Sequence, residues 1–410
     1  MSKLKWTFDL KQHTPMIHFQ PYDEGVCLRA TEVKPKFDRF LLENECFTDT
    51  QKSKWFYTAE DGRLATKMKL RFRTEGKAVR SYTFEQNENA KKGTTRNLER
   101  QIPQGSTTRI NRLYFGNQGC RDKEDYKETV FFKDGIKGTI LCFDGEFLEI
   151  IKRHIPVFFL LNNFGTRQNK GFGSFSVAGG KAGGSIYDVI RKYEQNAFYL
   201  DYRDLGRRRD IPAEKRLDDI GILYGLMKGG INNTGKRDEQ YYKSAIFRYY
   251  LEKGIINEKK VIKQYLFDKK SIKDIEKAYY VRAVMGLTDG FTYKDAIRKG
   301  SVSVSNDDIK RYQSPVYFKV LDQYTFLFLR PMPEALRNAE FKFSLKGREI
   351  NLPVPDFDIE NFMNWFAEDF NNKEKIVDPS TGALVRGSLQ KADNNKFVRI
   401  EQLELRRCDR

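Results

Sequence analysis

Between Asn162 and Gly180 the chain reads NNFGTRQNKGFGSFSVAGG, five glycines set around Arg167 and Lys170. Glycine accepts positive φ and close backbone approach, so such a turn can aim N–H groups at phosphate oxygens while the two cations supply charge. The spacing fits neither G-x-x-x-x-G-K-[ST] nor G-x-G-x-x-G, which rules out the familiar mononucleotide and dinucleotide loops and leaves a plain surface loop as the alternative. Phe172, flanked by Gly171 and Gly173, either stacks on a base or anchors the loop in the core. A second cationic group, Arg29, Lys34, Lys36 and Arg39, runs through CLRATEVKPKFDRFL and is interrupted by Pro35. A third is KMKLRFR, where Lys67, Lys69, Arg71 and Arg73 alternate with Met68, Leu70 and Phe72. Strand side chains alternate between faces, so one face here is apolar and the other carries four like charges. These need solvent or a polyanion.

Other chemistry is sparse. The histidines are His13, His18 and His154, and the five cysteines lack C-x-x-C spacing, so neither a zinc site nor a disulfide framework is expected. No cofactor or metal is called for. His13 or His18 could act alone as a general acid or base. Asp122 and Asp125 lie in a polar stretch with nothing to distinguish them from solvated acids. The cluster Arg207, Arg208 and Arg209 is flanked by Asp204 and Asp210, as in a salt-bridged loop.

The elements that would position these groups follow from periodicity. Trp6, Phe8 and Leu10 alternate as in a strand ending at Thr14-Pro15, and Phe37, Phe40 and Leu41 have helical spacing. KMKLRFR and KAVRSYTFEQ are predicted to pair as a hairpin, followed by a long polar loop through NENAKKGTTRNLERQIPQGSTTR. GEFLEII has helical spacing, VFFLL after Pro156 fits a strand or a helix, and GSFSV alternates as a strand. From Ser185 to about Lys299 apolar residues recur at helical spacing, and Tyr241, Tyr242, Tyr249 and Tyr250 are expected in a core. Short strands return from SVSVS onward, and NFMNWFAEDF is a late helix.

The composition sets the class of partner. With 410 residues, 39% hydrophobic and 14% aromatic, the chain can bury a core. Its 74 Lys and Arg against 56 Asp and Glu give a formal charge of +18, which favours nucleic acid, or secondarily an anionic membrane, as partner. No run of about 18 apolar residues and no signal-peptide pattern occurs, so a cytoplasmic protein is expected.

FGTRQNKGFGSF resembles the glycine-rich signature of the RAMP superfamily, the RRM-like subunits of type III CRISPR effector complexes, roughly G-x-[RK]-x-[RK]-[RK]-G-x-G-S. HTPMIHF, CLRATEVKPKFDRFL, YQSPVYFKV and YYVRAVMGL are similar to the branch that supplies the first RAMP subunit of the Cmr (type III-B) complex. The resemblance puts Gly165, Arg167, Lys170, Gly171, Phe172, Gly173 and Ser174 on an RNA-facing loop, with Arg29, Lys34, Lys36 and Arg39 beside the RNA path. Asn169 departs from the pattern, replacing one of two adjacent cations.

The resemblance implies an α+β protein of two ferredoxin-like, RRM-related domains, expected at 1–184 and 300–410, with a mostly helical insertion at 185–299. It implies a non-catalytic, RNA-binding subunit of an antiviral ribonucleoprotein, contacting crRNA and target RNA at one end of the backbone beside other RAMP subunits, with no membrane partner. The alternatives are a metal-independent RAMP endoribonuclease using His13 or His18 as general acid, and a protein-interaction subunit that touches no RNA.

Overall fold

The computed structural model describes residues 4–17, 28–60, 62–76, 80–85, 97–101, 107–110, 129–131, 135–180, 184–206, 211–233, 240–294, 297–374, 376–377, 384–386 and 400–408. His18, Asp122, Asp125 and Arg207 to Arg209 lie outside them. In chain order the first half has β1 (Lys5–Gln12), α1 (Ala30–Asn44), α2 (Asp49–Trp55), β2 (Phe56–Thr58), β3 (Leu64–Thr66) and β4 (Lys69–Thr74). Then come β5 (Arg80–Glu85), β6 (Asn97–Gln101), β7 (Thr107–Ile110), β8 (Thr129–Phe131), β9 (Ile136–Leu141), α3 (Gly145–Leu161) and β10 (Phe175–Val177). The second half opens with α4 (Ile186–Tyr193), β11 (Phe198–Asp201), α5 (Ala213–Lys228), β12 (Ile231–Asn233), β13 (Gln240–Tyr242) and α6 (Ala245–Glu252). It continues with β14 (Ile256–Asn257), α7 (Glu258–Val261), β15 (Ala278–Tyr279), β16 (Gly290–Lys294), β17 (Lys299–Ser305), β18 (Val316–Leu321) and β19 (Tyr324–Leu329). Last are β20 (Glu340–Leu345), β21 (Arg348–Pro353), α8 (Ile359–Asn371), β22 (Ile376–Val377), β23 (Leu384–Arg386) and β24 (Leu405–Arg407).

The protein is mixed α/β with several antiparallel sheets, two of which organise the rest. One has the order β10-β1-β9-β4, its connectivity running β1, α1, β4, β9, α3, β10. The other has the order β18-β19-β11-β24 and runs β11, α5, β18, β19, α8, β24. Both are fully antiparallel, and both place their first and third strands in the middle.

Burial joins these two sheets through shared cores. Phe8, Leu10, Ile136 and Ile140 of the first sheet pack on Val33, Phe37 and Leu41 of α1 and Ile151, Phe158 and Phe159 of α3. The same core takes in Leu321, Phe326 and Phe328 from one face of the second sheet. The opposite face, with Phe198, Leu200, Phe318, Val320 and Leu327, packs on α5, α6 and α8. A sheet covered on both sides needs apolar residues at every position. That is why VYFKVL and YTFLFL are nearly unbroken apolar runs instead of alternating ones.

Several expectations change at this level. KAVRSYTFEQ does not return against β4; β4 pairs with β9, and β5 pairs with β6 and β8 in another sheet. The polar stretch read as one long loop contains β6 and β7. Pro156 lies within a single helix, α3, whose start is capped by the Asp144 carboxylate accepting from the Phe147 N–H. The segment 185–299, expected as a mostly helical insertion, contains strands β11 to β16 besides its helices. The apolar residues of α5, Leu217, Ile220 and Leu223, share a core with β11 and β18, so β11 and α5 are built into the second sheet's unit.

Candidate nucleic-acid interface

The glycine-rich loop leaves α3 and is drawn inward. Asn163 donates from its side chain to Gln168 O at 2.7 Å and Phe318 O at 2.8 Å, and its N–H donates to the Tyr317 hydroxyl. Lys36 on α1 donates to Gln168 Oε1 at 2.7 Å and Asn163 O at 3.2 Å. Gly165 donates its N–H to Glu32. On the far side of the turn, Thr14 donates to Gly171 O at 2.6 Å and accepts from the Ser174 N–H, while Ser174 Oγ donates to Val320 O. Gly173, at φ 66°, lies so close to Phe164 that a β-carbon would sit 1.8 Å from its carbonyl oxygen. These glycines allow close packing of backbone on backbone. They do not present N–H groups to an outside anion.

The two side chains expected to meet RNA follow the loop inward. Phe172 is 2% exposed and belongs to the core shared with α5 and β18, so it is an anchor and not a stacking platform. Lys170 keeps part of its stem at the surface, but its Nζ has no solvent contact and no hydrogen-bond partner. That amine lies over the Tyr224 ring, 2.8 Å from the centroid. Burial drives its pKa well below the ordinary lysine value, with Lys228 and Arg167 adding like-charge repulsion. Arg167 is half-buried in the same turn. A phosphate cannot reach Lys170 here.

Helix α1 divides the second group of cations. Arg29 occupies its N-cap position and is half-buried. Lys36 is spent on the loop, and burial lowers its pKa. Lys34 donates to Asp38 at 2.7 Å and to Thr66 O at 2.8 Å, while Asp38 accepts from the Thr66 hydroxyl at 2.6 Å. This clip fastens the β2–β3 hairpin to α1. Arg39, one turn further on, is exposed.

Between α1 and the hairpin lies a cleft of about 510 Å³, lined by Arg39, Tyr57, Arg63 and Leu64 among others. Tyr57 is 50% and Leu64 39% exposed. The sequence reading missed these hairpin residues. The available signal was FYT and LAT flanking an Asp-Gly pair in the sequence.

Three residues beyond β3 the chain enters β4, the edge strand of the first sheet. The alternation read there holds: Met68 is buried, Leu70 and Phe72 are half-buried on the core, and Lys67, Lys69, Arg71 and Arg73 are exposed. Lys67 donates to Ser53 O and Lys54 O, which leaves Lys69, Arg71 and Arg73 as the outward stripe.

His13 is buried. Its Nδ1 accepts from the Asp322 N–H at 3.2 Å, which assigns the proton to Nε2, 2.8 Å from Ser176 Oγ. Burial is the main cause of a pKa well below the usual histidine value. Both ring nitrogens are therefore committed within the fold. Among the described residues no group of three or more His, Cys, Asp or Glu could hold a metal ion, and no helix is long and apolar enough to cross a membrane.

The paired four-stranded sheets and the glycine-rich strap between them agree with a subunit of a type III CRISPR complex. The family model of the Cmr1 N-terminal domain matches residues 3–231, and that of the Cmr1 C-terminal domain matches 241–387. The chain belongs to the Cmr1 family, the first RAMP subunit of type III-B CRISPR complexes. The two matches meet between 231 and 241, inside the segment expected as an insertion. No curated protein matches the chain.

Proposed function

We propose that this subunit is a non-catalytic, RNA-binding end piece of its complex, working in the cytoplasm and contacting crRNA and target RNA beside other RAMP subunits. We further propose that it is built from two ferredoxin-like halves, the second starting near β11. The strand orders support that architecture, since each sheet is a split β-α-β-β-α-β unit with its first and third strands central. The observation that carries RNA contact is the outward stripe Lys69, Arg71 and Arg73 on an edge strand, three cations with no carboxylate between them. A solvated edge would serve solubility equally well. The excess of 18 positive charges over the chain favours the polyanion.

The test is fluorescence anisotropy of the full chain with single-stranded RNA over a salt series. Replacing Lys69, Arg71 and Arg73 together by alanine is expected to weaken binding and to flatten the log–log salt slope by about 0.7 for each phosphate no longer neutralised. Unchanged affinity and slope would remove the stripe from the RNA path. Specific cleavage of the RNA in EDTA would overturn the non-catalytic reading.

A further inference from the structure

We infer that the cleft between α1 and the β2–β3 hairpin is a nucleobase pocket, which takes one unpaired base of the RNA whose backbone runs along β4. This rests on the RNA-binding proposal and adds a ligand group and a place for it. The volume, about 510 Å³, falls within the roughly 300–1,000 Å³ of small-ligand pockets. The surface of its lining is mostly apolar, with Pro35, Leu42 and Leu64, and suits the face of a base. Tyr57 stands at its edge half-exposed, the geometry of a stacking side chain not yet covered by protein.

Charge decides between a base and an apolar protein side chain as occupant. Arg39 and Arg63 lie on the rim, and Lys34 Nζ is 6.0 Å from the Tyr57 ring. The one carboxylate in the lining, Asp38, is buried and already bound by Lys34 and Thr66, so it does not repel a phosphate. The cleft also adjoins the stripe along the chain: β3 ends at Thr66 and β4 begins at Lys69. A strand following the stripe therefore arrives at the rim arginines with a base beside Tyr57. With little polar surface in the lining, the pocket accepts any base by stacking.

The probe is a short single-stranded RNA compared with an abasic strand of the same length, bound to the full chain. For the wild type the abasic strand is expected to bind at least tenfold more weakly. Tyr57→Ala, and independently Leu64→Ser, should shrink that ratio severalfold while leaving the salt slope and melting temperature unchanged, since neither side chain is part of the buried core. A ratio unchanged in both variants overturns the pocket. Equal binding of the two strands by the wild type, with both weakened by removal of the β4 cations, also overturns it but leaves RNA binding intact. Absence of any RNA binding defeats the RNA proposal and the pocket with it. Wild-type base dependence in both variants together with failed assembly into the complex would assign the cleft to a protein neighbour instead.

Discussion

At Gly173 the backbone of the strap meets Phe164 so closely that even one methyl group has no room, and φ of 66° adds strain for any other residue. Gly173→Ala is expected to cost about 3 kcal/mol or more in urea unfolding, in the range of large steric and backbone effects. If the substitution instead left stability intact and reduced RNA affinity, the loop would be an RNA cradle after all. Lys170 makes the complementary case. Its amine is buried without a hydrogen bond, so Lys170→Met should raise stability at neutral pH by about 1–3 kcal/mol, the usual cost of a buried unsatisfied group. The sign of its pH dependence follows from the depressed pKa. Between the folded value and 10.5 the unfolded chain holds a proton that the folded chain lacks, so wild-type stability rises with pH and the advantage of methionine fades. RNA affinity of the Met variant should stay within about twofold of wild type, because that cation faces Tyr224 and not solvent.

At the scale of elements, Lys34 and Asp38 belong to a clip that joins α1 to the hairpin. Lys34→Ala would leave the buried Asp38 carboxylate bound only by Thr66. The expected cost in urea unfolding is about 1–3 kcal/mol, below that of a fully buried pair because Lys34 is one-fifth exposed. Asp38→Asn, which can still accept from Thr66, should cost less, and the reverse ranking would show that the clip is not what holds the hairpin. Such elements were readable where the pattern is local. The period of two in β4, the helical spacing of α1 and α8, and the alternation of β1 and β10 are all present in short windows. The direction of the glycine-rich strap was not readable, since its burial depends on Phe318 and Tyr224, which lie far along the chain. The cations of α1 show the same limit: Lys34 and Lys36 look like surface charge until Thr66 and Gln168 are brought to them. Arg39 alone of that helix's cations kept the exposed position its type suggested.

At the scale of the whole molecule, the first sheet's β1 meets the tight turn between β18 and β19 at a seam. Lys11 reaches Asp322 at 2.6 Å, the His13 N–H donates to Ser174 O, and the Asp322 N–H donates to the His13 ring. Burial lowers the pKa of His13; the Asp322 charge opposes that, and Lys319, Lys11 and Arg216 reinforce it. Below the ordinary histidine value of 6.5 the unfolded chain takes up a proton that the folded chain refuses. The stabilising contribution is therefore complete above that pH and declines as pH falls, by up to about 1.4 kcal/mol per pH unit for one proton. Asp322 is held below its usual 3.8 despite burial, chiefly by the Lys11 hydrogen bond, so its own contribution disappears only under more acid conditions. The His13 effect runs from 6.5 down to about 3 and that of Asp322 begins at 3.8, so the range above 3.8 reports His13 alone, and His13→Gln isolates it. Urea unfolding of this variant should show a flatter decline between pH 6.5 and 3.8 while keeping the drop below 3.8, with the protection of seam amides relative to their intrinsic exchange rate no lower at pH 5 than at pH 7. A decline as steep as wild type in the upper window would move the acid sensitivity to other groups and leave His13 with packing as its only role. A flattened decline would assign the loss of stability in that window to the proton that His13 refuses at the junction of the two sheets.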